Sequence, residues 1–255
     1  WPVCGKCCEV AHFSWMGGAH HCAVDEPEEE LNAPWDDGVL EWVRSNAARF
    51  VYTDERGPRY LLWRLVDNAV DEAVAGYATA VQVRLLEDGG VAVSDNGRGI
   101  PAVESDRFLP TAFRVAAALP EGDDTSHGRF GRFNRFGGFG GTRAADVWIV
   151  NALSTRMEVE STHAGERWSQ SYERAVSVRF GWDGATAATG TTVRFWPDPA
   201  IFGTTGFAFG TVAGRLQELA FFNSGLTIKV VDERPAAQPG SRSFCHTSGL
   251  TGYVE

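Results

Sequence analysis

The loop Asp95-Asn96-Gly97-Arg98-Gly99-Ile100-Pro101 constrains this chain more than any other feature. Val91 and Val93 alternate with other residues just before it. Val81, Val83 and Leu85 alternate upstream, and Asp88-Gly89-Gly90 separates the two runs. That pattern predicts a β-hairpin. Its second strand runs straight into two glycines and a proline, which end it in a tight loop with exposed backbone. A strand end of this kind lets a ligand approach the main chain closely.

A second feature precedes the hairpin. Leu62, Val66, Ala69, Val70 and Ala73 recur at helical spacing, which predicts a helix over 60–75 with Gly76 as its stop. Arg64, Asn68, Asp71 and Glu72 share the opposite face. A polar stripe is ordinarily turned to solvent, and Leu65, Val66, Val70 and Phe195 are expected in the core.

The remaining pattern alternates between both element types. Leu40 and Val43 predict a helix, and Phe50-Val51 a short extended piece. A short helix is expected at 111–119. Residues 128–141, rich in Arg, Phe and Gly, read as a flexible loop. Strands are predicted at about 147–151, 156–161, 168–173, 177–181 and 191–196, a second amphipathic helix around Val212, Leu216, Leu219 and Ala220, and a last strand from Leu226 to Val231. Mixed strands and helices in this order predict an α/β two-layer sandwich. Residues 1–35 are expected to be poorly ordered and 36–255 to form the domain.

Composition excludes several classes. No run of about 18 apolar residues exists, so no membrane span is expected, and no signal peptide is read at the start; the expected compartment is cytoplasmic. The net charge of −10 argues against nucleic-acid binding through the overall field. Arg and Phe in 129–139 can stack on bases, although a lid with no such partner is preferred. Cys4, Cys7, Cys8 and Cys22 crowd the start, with His12, His20 and His21 among them. These are zinc-type ligands, but a metal-free segment is the preferred reading. The chain begins at Trp1, and Met16 is an alternative start that would remove three of these cysteines.

The parts have a combined chemistry. Asp95, at a strand end, can accept a hydrogen bond from an exocyclic amine such as that of adenine. The Asn68 carbonyl, with waters and phosphates, can complete an octahedral Mg²⁺ shell. Thr191 follows Gly190 at the start of a strand and offers a hydroxyl. Together they describe a purine-nucleotide site.

The segments LVDNAVDEAVAGY at 65–77, VSDNGRGIP at 93–101, VNALS at 150–154, TGTTVRFWPDPAIF at 189–202 and RLQELAFFNSGL at 215–226 occur in one order. In that order they resemble the N-terminal ATPase domain of the DNA gyrase B and topoisomerase IV B subunits. These share a superfamily with Hsp90, histidine kinases and MutL. The resemblance covers about 40–255. It implies a Bergerat-type, Hsp90-like ATPase fold with helices on one face of a mixed sheet, a lid loop at about 120–146, and ATP with Mg²⁺ as cofactors. It implies that Asn68 is the Mg²⁺ ligand and that Asp95 binds the adenine amine with Thr191 beside it. Gly97, Ile100 and Pro101 would wall the adenine, Arg98 would pair with Glu72, and Gly140 and Gly141 would belong to the phosphate lid. DNA would be a partner only through other domains or a gyrase A-type subunit, and a homodimer is allowed.

The chain also departs from that family. The family's general base is a glutamate four residues before the Mg²⁺-binding asparagine, and Arg64 stands there. A guanidinium is always protonated and offers no acceptor, so it cannot take a proton from water. Two lid glycines are replaced by Ala144 and Asp146, and a lid lysine is missing, with Arg135 and Arg143 close by. A mouth arginine aligns with Ser169, two residues from Arg167. Nothing in 1–35 matches the family's clasping arm, and the chain is expected to stop before its transducer domain. These departures lead to the expectation of nucleotide binding with impaired hydrolysis, as in a pseudoenzyme; an active ATPase fragment is the alternative.

Overall fold

The computed structural model describes residues 37–100, 143–235 and 240–247. The predicted helix at 111–119, the Arg/Phe-rich loop, the cysteine cluster, Pro101, Gly140 and Gly141 lie outside the described residues.

The helices are α1 (Asp37–Ser45), α2 (Arg56–Val74), α3 (Arg143–Ala152), α4 (Pro199–Phe202) and α5 (Phe209–Phe222). The strands are β1 (Ala80–Leu85), β2 (Val91–Asp95), β3 (Ser154–His163), β4 (Glu166–Glu173), β5 (Val176–Ala185), β6 (Gly190–Pro197), β7 (Thr227–Asp232) and β8 (Ser241–Phe244). They form one sheet in the order β5-β4-β3-β6-β2-β1-β7-β8. Among the described residues only the β1–β7 pair is parallel; the other ladders are antiparallel. This is the α/β architecture that the sequence pattern predicts, with the mixed sheet that the resemblance implies.

Register explains why the sheet holds a core on one face. Val159, Val193, Val93, Val83 and Val230 are successive cross-strand partners from β3 to β7. All five are buried. Each contributes about 1.5–3 kcal/mol by leaving water, and a one-residue slip in any strand would turn its share outward. Helices α2, α3 and α5 cover this face. The other face is polar: Arg194 and Arg167 both reach Glu160, and Arg156 reaches Glu158. Such exposed pairs keep the face soluble and add little stability.

Helix α2 carries the site. It starts four residues before the predicted boundary, with Pro58 in the first turn, where its missing N–H leaves no helical bond unmade. Gly76 follows its end at φ 81°, as the stop signal predicts.

Three sequence expectations change. Residues 147–151 are helical, within α3, rather than a strand. Val147 and Val150 are three apart and both buried, so a short apolar run read as alternation is one face of a helix. At Phe50-Val51 the chain leaves a 3-10 turn (Ala47–Arg49) instead of extending, with Val51 N–H bonded to the Ala47 carbonyl at 3.0 Å. Helix α4 and strand β8 are additional. Asp198 caps α4, accepting from Ala200 N–H at 2.8 Å. Arg44 ties that cap to the Ala152 carbonyl at the end of α3.

Candidate functional site

The site forms where the end of β2 meets α2 and the start of β6. Asp95 and Thr191 are direct partners in the β2–β6 ladder. The Asp95 carboxylate accepts from Gly97 N–H at 2.8 Å. Burial pushes it up to about 6, against the pull of the Gly97 and Thr191 amides, which favour its charged form. At neutral pH it is therefore mainly an ionised acceptor held in a poorly solvated place.

Glu72 is the fully buried carboxylate of the site, with 0% exposure. Such a charge requires compensation, and Arg98 supplies it. Its backbone N–H donates to Oε2 at 2.7 Å and its Nη2 donates to Oε1 at 2.9 Å. The guanidinium also lies 3.7 Å from the Tyr77 ring centroid. Removing one member of a buried pair leaves the other charge uncompensated. Arg98→Ala is therefore expected to cost about 3 kcal/mol of stability, read from urea unfolding midpoints.

Gly97 sits between the two carboxylates. A Cβ there would fall 2.5 Å from Glu72 Oε2 and 2.8 Å from Asp95 Oδ1. Gly99 has φ 76°, and a Cβ would meet the Thr162 carbonyl at 2.0 Å. The two glycines thus allow the loop to run between α2 and β3, with no side chain at the two closest approaches.

Ile100 ends this loop and is anchored by its backbone. Its N–H donates to Ser161 Oγ at 2.6 Å, and its carbonyl accepts from Trp168 Nε1 at 2.8 Å. The Arg98 carbonyl lies 3.0 Å from His163 Nδ1. Ser161, His163 and Trp168 are not candidates from the sequence: Ser161 and Trp168 read as ordinary strand residues, His163 falls between the predicted strands, and only the β3–β4 ladder brings them to the loop. Asn96, though inside the motif, serves the fold. Its Oδ1 accepts from Thr79 and Ala80 N–H, both at 2.9 Å.

On α2, Asn68 and Glu72 are buried, unlike an ordinary solvent-facing polar stripe. Glu72 faces the loop, which brings the Arg98 donors to it. Arg64, one turn earlier, donates from Nη2 to Tyr60 Oη and stacks 4.6 Å from its ring centroid. Arg167 is held by Glu160 at 2.9 Å on the polar face of the sheet.

The donor set suits an adenine nucleotide. Thr191 Oγ1 is buried with no hydrogen-bond partner among the described residues, and it lies in register beside the Asp95 acceptor. A purine edge that donates and accepts would satisfy both. For Mg²⁺ the relevant oxygen donor is the amide of Asn68, buried on α2. One amide oxygen from Asn68 with phosphates and waters is the kind of shell Mg²⁺ takes.

An eight-stranded mixed sheet with helices on one face, and a carboxylate–glycine site at its strand ends, make this a two-layer α/β domain. The model of the histidine kinase-, DNA gyrase B- and HSP90-like ATPases matches residues 53–201. The chain belongs to that family. It is 51% identical over 197 residues to the DNA gyrase B protein of Mycobacterium leprae, covering 76% of this chain and 28% of that protein. With the gyrase B protein of Mycolicibacterium smegmatis it shares 46% over 219 residues, 82% of this chain and 32% of that one. The novobiocin-sensitive gyrase B protein of Streptomyces niveus is 43% identical over 202 residues, 78% of this chain and 29% of that one. The 43K ATPase domain of Thermus thermophilus gyrase B, solved with an aminocoumarin, superposes with a TM-score of 0.68 at 31% identity, covering 84% of this chain and 53% of that one. The chain thus spans under a third of the length of these curated relatives. No described helix is long and apolar enough to cross a membrane.

Proposed function

We propose that this chain binds ATP with Mg²⁺ and hydrolyses it poorly. Asp95 and Thr191 would take the adenine edge, with Gly97 and Ile100 against its faces and Pro101 closing the loop. Asn68 would hold Mg²⁺, which when bound neutralises charge between the phosphates. Glu72 and Arg98 would keep the loop and helix in register. Gly140 and Gly141 would meet the phosphates from a lid at about 120–146, within a domain spanning 36–255.

The observation that carries the reading is Arg64. Its position on α2 is the one where the family places a glutamate base, and its guanidinium offers only donors. General bases contribute on the order of 10²–10⁴ in rate, so binding outlasts turnover. The role is then regulatory or partner-binding in the cytoplasm, in a topoisomerase-type assembly where other domains or a gyrase A-type subunit meet DNA and a second copy can join as a homodimer.

Calorimetry with a non-hydrolysable ATP analogue, run with Mg²⁺ and after chelation, tests this together with a phosphate-release assay. The expected result is Mg²⁺-dependent binding with turnover far below that of an active gyrase B ATPase domain measured in parallel. Equal turnover would refute the Arg64 argument, and absence of binding would refute the site.

A further inference from the structure

Tyr60, Arg64, Asn68 and Glu72 follow one another on α2 at four-residue steps. Such residues form one ridge along a helix, here about 18 Å long at 1.5 Å per residue. The Glu72 end meets the glycine loop and Asp95. A nucleotide with its base at Asp95 and its Mg²⁺-bound phosphates at Asn68, as proposed above, would point its terminal phosphate toward the Arg64 end.

Arg64 is fastened at that end. Tyr60 Oη accepts from Arg64 Nη2, and the Tyr60 ring lies under the guanidinium, 4.6 Å from centroid to Cζ. Side chains on a helix lean toward its N-terminus, so Arg64 reaches back over Tyr60 without strain. The Tyr60 ring is itself buttressed. Tyr52 meets it edge-on at 6.2 Å, and Arg56 stands 4.2 Å over Tyr52. An arginine side chain that must be ordered on binding lowers affinity, and one already ordered does not. A guanidinium is also a planar fork suited to phosphate oxygens.

We propose that Tyr60 is a positioning residue that holds Arg64 ready for the terminal phosphate, so that the site prefers a nucleoside triphosphate over a diphosphate. The inference rests on the nucleotide reading above. It assigns Arg64 a binding role where a base is lost, and Tyr60 a role through Arg64.

The test is titration of the full chain with a non-hydrolysable ATP analogue and, separately, with ADP, each with Mg²⁺. The parent is expected to prefer the triphosphate by about tenfold, the scale of one charge-assisted hydrogen-bonded contact. Arg64→Ala should abolish the preference. Tyr60→Phe, which keeps the ring and its buttress, should reduce it several-fold while ADP binding changes less. Tyr60→Phe added to Arg64→Ala should have no further effect, as expected for residues acting as a unit. An unchanged preference in Tyr60→Phe, or one that survives Arg64→Ala, overturns the proposal. A parent that binds ADP without preferring the triphosphate overturns this inference alone. A parent that binds neither nucleotide overturns the nucleotide reading with it.

Discussion

Replacing Arg64 with glutamate is expected to raise ATP turnover by about 10²–10⁴-fold, the usual contribution of a general base. The substitution places a carboxylate one helical turn before Asn68. There it can accept a proton from water, which a guanidinium cannot do. Tyr60 changes role without moving, because its hydroxyl accepts from Arg64 in the present chain and would donate to a carboxylate. Steady-state phosphate release under saturating ATP and Mg²⁺ measures the effect. A variant that binds ATP as the parent does but shows no gain would locate the defect in the lid, where Ala144 and Asp146 replace glycines of the family pattern.

The second large effect concerns Asp95, where binding and stability move in opposite directions. Its carboxyl stands at about 6 in the folded chain, above the ordinary value of 3.8. Between these values the folded state holds more protons than the unfolded one, so stability falls as pH rises through the window. Above pH 6 the ionised group costs on the order of 1–3 kcal/mol, allowing for its partial exposure. Asp95→Asn should therefore stabilise the ligand-free domain at pH 7 and remove that pH dependence from thermal melts. The same change should weaken ATP binding by about 10–100-fold. A single amide oxygen cannot serve the Gly97 and Thr191 amides and an adenine amine together, and the amide NH₂ opposes another donor. For the parent, affinity should fall as pH drops below about 6, by about tenfold per unit once the carboxylate is protonated. Asp95→Asn that binds ATP as tightly as the parent would remove Asp95 from the adenine site.

The hairpin β1–β2, helix α2 and the Asp95–Ile100 loop were legible because their signals are local. Alternation, helical spacing and turn glycines act within a few residues, and the elements form where those signals stand. The predicted strand at 147–151 failed for the same reason: four apolar residues do not distinguish a buried helix face from a strand. Glu72 carries a polar side chain on a helix, and nothing local says that a loop 26 residues beyond it will return to cover it with Arg98.

Residue types, motif order and an arginine at position 64 are written in the chain, and with them the family. The long-range pairings are not. Asp95 meets Thr191 through the β2–β6 ladder, Ile100 is pinned by Ser161 and Trp168, and Glu72 loses its water to Arg98. Those contacts arise from strand register and helix packing, which are set by burying the valine row across five strands at once. A carboxylate's charge state depends on what surrounds it, so the loop that the sequence marks out becomes a poised acceptor only when the sheet closes around it.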